Sequence, residues 1–205
     1  AAHAVGKAPD FGIHLDGVIR VDGREVMDRV RRERDRFVDL VLREVKQIPD
    51  ADRIRGQACF ANNQTIEVAD HTRVTAKSVV IATGSAPAYP DSFKDLGSCL
   101  IVSDDVFNWR DLPIAVAVIG AGIVGLELGQ ALHRLGVHVV LLGRGGQVGP
   151  LGDPEIRSCA MATLNEEFAL EADAHIVSMQ RDGDRVSIRR TRPDGSEISE
   201  RFDFV

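Results

Sequence analysis

The residues best placed to do chemistry form one short turn, Gly120-Ala121-Gly122-Ile123-Val124-Gly125. Each glycine has a physical use. Gly120 permits a tight exit from a strand, Gly122 lacks the Cβ that would keep a pyrophosphate from the backbone, and Gly125 lets a helix lie close to the strand. The N–H groups that open such a helix have no partners of their own and carry a partial positive charge, so they suit phosphate. A GxGxxG spacing alone is weak. Here it has its context: an apolar strand over Ala115–Ile119, a helix over Ile123–Leu135 striped by Val124, Leu128, Ala131 and Leu135, and a second apolar strand over Val137–Leu142. This frame predicts a dinucleotide site.

The end of the second strand selects the nucleotide. An acid there would hold the 2′-hydroxyl of NAD, but the chain reads Leu142-Gly143-Arg144-Gly145-Gly146. A guanidinium can pair bidentately with a 2′-phosphate, and the neighbouring glycines would leave it room. Gly143 and Arg144 therefore point to NADP over NAD. The plainer alternative is a solvated loop arginine.

These residues need elements to position them. Gly23 to about Gln47 reads as one long helix, with Val26, Val30, Phe37, Val41 and Val45 at helical spacing and Pro49 beyond its end. Its arginines 31, 32, 34 and 36 alternate with Glu33 and Asp35, the pattern of a solvated mixed-charge face. Short strands are expected over Arg53–Phe60, Thr65–Val68 and Arg73–Val74, with Asn62-Asn63 as a turn. Ser78–Gly84 reads as a continuous apolar strand buried on both faces. Pro87–Pro113 is punctuated by proline and glycine, and Trp109–Pro113 reads as a linker with Trp109 packed at the junction. Beyond the two apolar strands, Pro154–Phe168 reads as a helix. His175–Met179, Arg185–Arg189 and Glu197–Phe204 read as strands joined at Asp182-Gly183 and Asp194-Gly195.

Composition narrows the function classes. The formal net charge of −6, from 25 basic and 31 acidic residues, gives no electrostatic case for nucleic acid. No apolar run reaches a membrane span, and Ala1–Asp10 lacks a signal-peptide layout, so a cytoplasmic location is expected. Cys59, Cys99 and Cys159 match neither a zinc pattern nor a short-spaced redox pair. No metal site and no complete catalytic set is expected. The chain opens on Ala1-Ala2-His3-Ala4-Val5, like the tail of a helix, and closes on Arg201–Val205, like a strand beginning. A central piece of a longer protein is the expectation.

Two motifs carry a resemblance. Val118–Gly129 and Val79-Val80-Ile81-Ala82-Thr83-Gly84-Ser85-Ala86-Pro87, about 36 residues apart, resemble the pyridine nucleotide–disulfide oxidoreductases, among them dihydrolipoamide dehydrogenase, mercuric reductase and glutathione reductase. Gly56-Gln57-Ala58-Cys59-Phe60 before a hairpin fits as well.

The resemblance implies an α/β, Rossmann-like FAD/NAD(P)-binding fold: a parallel sheet with helices plus a β-meander. It implies a partial FAD-binding domain over 1–110, with the long helix near 24–47, and an NAD(P)-binding domain over 111–205 truncated at its last strand. The glycine turn would bind the nicotinamide nucleotide, with Glu127 facing the nicotinamide carboxamide. As a bare residue, Glu127 could instead complement the helix dipole. Ala82, Thr83 and Gly84 would line the flavin side, and Ala58 with Gln57 would lie near the FAD adenine.

The implied activity is hydride transfer from NAD(P)H to FAD and on to a small-molecule or protein-bound disulfide acceptor, most like dihydrolipoamide dehydrogenase, in a homodimer of the full-length protein. The departures are the missing first GxGxxG, CxxxxC pair, second flavin motif and C-terminal interface domain. Gly143 replaces the acid of lipoamide dehydrogenases, and Pro150 stands where glutathione reductases carry a second basic residue. A free-standing nucleotide-binding module or non-catalytic remnant, and a flavin NADH oxidase, are the competing readings.

Overall fold

The computed structural model describes residues 2–18, 20–192 and 194–205. Two compact units emerge, one of Ala1–Arg31 with Pro87–Val205 and one of Arg32–Ala86.

The first unit is built on a parallel sheet. Strands β4 (Ala115–Ile119), β5 (His138–Leu142) and β6 (Ala169–Glu171) pair in register in the order β4-β5-β6. On one face lie helices α3 (Ile123–His133) and α4 (Pro154–Asn165). On the other lies an antiparallel meander of β7 (His175–Asp182), β8 (Arg185–Thr191) and β9 (Glu197–Phe202). Alternation along the strands explains the three layers. Ala115, Ala117, Val140 and Leu142 face Val186, Ile188 and Phe202 of the meander. Val116, Val139 and Leu141 face the helix layer with Leu132 and Phe168. Both faces of β5 are apolar and Leu141 is 0% exposed, as a parallel strand covered on both sides requires.

The chain returns to this sheet after the meander. Asp203 N donates to the Ala115 carbonyl at 2.9 Å, Phe204 bridges Val116 in parallel, and Val205 N donates to Cys99 O at 2.9 Å. The Asp203 carboxylate accepts from the amides of Ile114 (2.7 Å) and Ala115 (2.9 Å), which closes the start of β4. Trp109 stacks on Phe204 of the same unit with 5.3 Å between ring centroids.

The expected strands at 115–119, 137–142 and across the meander are present to within a few residues. Strand β6 is not among the expected elements. Helix α4 stops at Asn165 rather than Phe168, and its start is set by Asp153, whose carboxylate accepts from Glu155 N and Ile156 N. In α3 the buried positions are Gly129 and Leu132, with Leu126 packed beside them, instead of the expected stripe. The small faces of Gly125 and Gly129 can approach the sheet closely, which leaves Val124 54% exposed.

Pro87–Pro113 is not wholly irregular: Asp91–Cys99 and Ser103–Asn108 form 3-10 turns. The N-terminal residues form a short helix, α1 (Ala2–Gly6), and Ala1 of the expected helix tail lies outside the described residues. The first turns of α2 (Gly23–Lys46) belong to this unit. Met27 is buried, Arg24 pairs with Asp111 at 3.2 Å, and the Arg31 guanidinium bonds the Trp109 carbonyl.

The second unit holds the rest of α2 and a hairpin sheet of β1 (Ala58–Asn62), β2 (Thr65–Val68) and β3 (Thr72–Thr75) in the order β1-β2-β3. Arg36 pairs with Glu33 and Arg34 with Asp35, both at 2.7 Å, in keeping with a solvated mixed-charge face. Phe37, Val41 and Val45 are exposed.

The expected strand over Ser78–Gly84 is not formed. Those residues join no ladder, and Val80 and Ile81 are 88% and 70% exposed. An apolar run becomes a strand only when neighbouring strands take up its N–H and C=O groups. No strand among the described residues pairs with it.

Candidate dinucleotide site

The glycine turn leaves β4 and enters α3 as its spacing demands. Gly120 holds φ at +112°, a region closed to most side chains, while its N–H donates to the Leu142 carbonyl of β5 at 2.8 Å. Gly125 sits against the turn itself: a Cβ there would collide with the Gly120 carbonyl oxygen. Gly122 is the N-cap of α3, with open space where a Cβ would point and no side-chain cap. The amides of Ile123 and Val124 therefore begin the helix without an intrahelical or side-chain partner. Ala121 is buried under the turn, and its carbonyl accepts from Gly149 N at 2.7 Å. The turn forms one end of an apolar cavity of about 520 Å³ with Val118, Val124 and Leu128 among its walls. Polar chemistry at this end comes from backbone amides. Glu127 is exposed on the second turn of α3.

The loop after β5 is held in place. Gly143 N donates to Glu171 O at 2.7 Å, Ala174 N donates to Gly143 O at 3.0 Å, and Gly146 N donates to Ala172 O at 3.1 Å. A Cβ at Gly143 would stand 2.6 Å from the Ala172 carbonyl oxygen. The room expected around Gly143 is thus filled by the chain after β6. The open side lies at Gly145 and Gly146, where nothing comes within 4 Å of the position a Cβ would take. Arg144 stands between Gly143 and this open pair, exposed and without an ion pair or hydrogen bond among the described residues.

Behind the loop, Glu171 meets the buried Arg190, Oε1 to Nε at 2.9 Å, and Arg190 also pairs with Glu200. Burial works against the Arg190 charge. The hydrogen bonds to Glu171 and Glu200 outweigh it and hold its pKa above the ordinary arginine value. Across the helix layer, Arg134 and Glu167 form a two-pronged pair at 2.9 and 2.7 Å. The hydrogen bond from Arg134 keeps the Glu167 carboxyl below its ordinary pKa.

The structure brings Gly120–Gly125 and Glu127 together on one turn and helix, and sets Gly143 and Arg144 at the end of the adjacent strand. In the second unit, Ala58 is exposed in β1, and Ala82, Thr83 and Gly84 are exposed in a segment outside any helix or strand. Cys59 and Cys159 are exposed free thiols and Cys99 is a buried one. The residue that sequence reasoning missed is Asp173, whose Oδ1 accepts from Gly145 N at 2.7 Å. Its only signal in the sequence is an acid soon after an unrecognised three-residue strand.

Residues 14–204 match the family model described as pyridine nucleotide-disulphide oxidoreductase. The chain is 36% identical over 116 residues to a mercuric reductase of Staphylococcus aureus, covering 57% of this chain and 21% of that protein. It is 31% identical over 221 aligned positions to the mitochondrial thioredoxin reductase 2 of Drosophila melanogaster, covering 98% of this chain and 40% of that protein. In fold it resembles the HOCl-induced flavoprotein disulfide reductase RclA from Escherichia coli, with a TM-score of 0.69 and 18% identity, covering 100% of this chain and 45% of that one. The chain thus spans less than half the length of each.

Proposed function

The chain belongs to the pyridine nucleotide-disulphide oxidoreductase family, and from that premise we propose that it provides the nicotinamide-nucleotide site of a flavoprotein disulfide oxidoreductase. The observation that carries this reading is the glycine turn: uncapped amides at the α3 N-terminus, open space at Gly122, and a helix drawn in by the contact of Gly125 with Gly120. That cradle fits a pyrophosphate.

In this reading the amides of Gly122, Ile123 and Val124 hold the pyrophosphate. Glu127, one turn on, orients the nicotinamide carboxamide. Arg144 pairs with a 2′-phosphate, which favours NADP over NAD. The bound nicotinamide supplies a hydride, destined for FAD and then for a disulfide-type acceptor. Ala58, Ala82, Thr83 and Gly84 are assigned to the flavin side from the family alone, since their exposed positions form no cradle of their own. The domain division at 110/111, the homodimer of the full-length protein and the cytoplasmic location belong to the same proposal. Among acceptors, the disulfide lipoamide, reduced to dihydrolipoamide, is the finer assignment, with glutathione disulfide and Hg(II) as the comparisons to run against it.

No helix among the described residues is long and apolar enough to cross a membrane. Titration of the purified chain with NADPH and NADH, followed by calorimetry, tests the site. Binding of NADPH in preference to NADH is expected. Binding of neither would overturn the nucleotide reading, and preference for NADH would overturn the role of Arg144.

A further inference from the structure

We infer that Asp173 is the positioning residue for nucleotide selection, holding the Arg144 loop in the shape that presents its guanidinium to a 2′-phosphate. This inference rests on the reading of Gly120–Gly125 and Arg144 as the nucleotide site.

Arg144 itself makes no hydrogen bond or ion pair among the described residues, so its placement rests on the backbone on either side. On the N-terminal side, Gly143 is bonded through its N–H to Glu171 at the end of β6 and through its C=O to Ala174 beyond it, with Ala172 filling the place of its missing Cβ. On the C-terminal side, Gly145 and Gly146 both adopt a φ of +71°. Two consecutive glycines in that region are costly to order, because glycine loses more conformational freedom than any other residue. Two bonds hold them: Gly146 N to the Ala172 carbonyl, and Gly145 N to the Asp173 carboxylate at 2.7 Å.

The second is the only one of these contacts made by a side chain, and a carboxylate oxygen is an acceptor of the stronger kind. The carboxylate uses one oxygen on the loop. The same segment is anchored from below, because Glu171 is tied to the buried Arg190. The segment Glu171-Ala172-Asp173, tied to a buried arginine at Glu171, thus holds both residues that bracket Arg144, Gly143 through the Glu171 carbonyl and Gly145 through the Asp173 carboxylate.

The charge of Asp173 by itself would disfavour a nearby phosphate. Its role in selecting NADP must therefore come from its acceptor oxygen, and that separates the carboxylate's two properties. Asn keeps the acceptor and loses the charge, whereas Ala loses both.

The test uses the 205-residue chain and its Asp173→Ala and Asp173→Asn variants. Amide hydrogen exchange is read at Gly145, and NADPH and NADH dissociation constants are read by calorimetry. In Asp173→Ala, Gly145 exchange should accelerate and the NADPH Kd should rise about tenfold, with the NADH Kd unchanged. Asp173→Asn should hold Gly145 exchange well below that of Asp173→Ala and bind NADPH at least as tightly as the parent chain. Unchanged Gly145 exchange in the alanine variant would overturn the clamp. Equal weakening of both nucleotides, or tighter NADPH binding, in Asp173→Ala would overturn the selective role while leaving the site reading intact. A parent chain that binds neither nucleotide would overturn both the site reading and the selective role, while Gly145 exchange still reports separately on the clamp.

Discussion

Gly125 lies so close to Gly120 that the carbonyl oxygen of one occupies the place where the other would carry a side chain. The contact is backbone to backbone, so no rotamer change can relieve it. Gly125→Ala must push α3 away from the end of β4. A loss of about 1–3 kcal/mol is expected from overpacking, read by denaturant unfolding. Nucleotide affinity should fall with it, because the amides that face the pyrophosphate move too. A variant of unchanged stability would contradict the geometry.

Arg144 separates the two nucleotides by charge. Arg144→Gln should weaken NADPH binding about tenfold to a hundredfold and leave NADH nearly untouched, as expected for a lost charge-assisted pair. The NADPH preference of the parent chain should also shrink as salt is raised, since the arginine is exposed. Equal losses for both nucleotides in calorimetry would remove the 2′-phosphate from its role.

The Arg134–Glu167 pair sets part of the acid limb of stability. The Glu167 carboxyl is held below its ordinary value, chiefly by the hydrogen bond from Arg134. Its contribution is therefore complete above the unfolded glutamate pKa of about 4.3 and is lost as pH falls through the lower folded value. A melting-temperature profile from neutral pH downward should drop less steeply below pH ~4 in Glu167→Gln than in the parent chain. Parallel acid limbs would show that the pair is not coupled to folding.

Leu141 has 0% of its surface exposed and packs toward the helix layer. Leu141→Ala should cost about 2–5 kcal/mol through lost burial and the cavity left behind. Denaturant unfolding measures this directly, and a cost below about 1 kcal/mol would mean the sheet and helices collapse onto the gap.

Arg190 is a buried charge that holds two carboxylates. Arg190→Met should destabilise by about 3 kcal/mol, because it strands Glu171 and Glu200 near the core. Adding Glu171→Gln and Glu200→Gln should recover part of that loss. If the triple variant is no more stable than Arg190→Met, the stranded carboxylates are not the cause.

The features that sequence reasoning captured are those whose cause is local. Ala115–Ile119 and His138–Leu142 are apolar runs of strand length on either side of a glycine turn, and each stands in the sheet where that pattern puts it. The Gly183 and Gly195 turns mark the meander just as directly. What stayed hidden depends on distant partners. Strand β6 is three residues long and begins directly after the helix expected to run to Phe168, so only its pairing with β5 reveals it. Ser78–Gly84 has the composition of a buried strand but no ladder to join. Asp173 reaches Gly145 across 28 residues, a contact that no local pattern encodes.

Trp109 stacks on Phe204, and Phe204 bridges β4 through Val116. The chain has one tryptophan. Its fluorescence is therefore a built-in optical reporter of whether the stretch after the meander is seated on the nucleotide-binding sheet, readable without any attached dye.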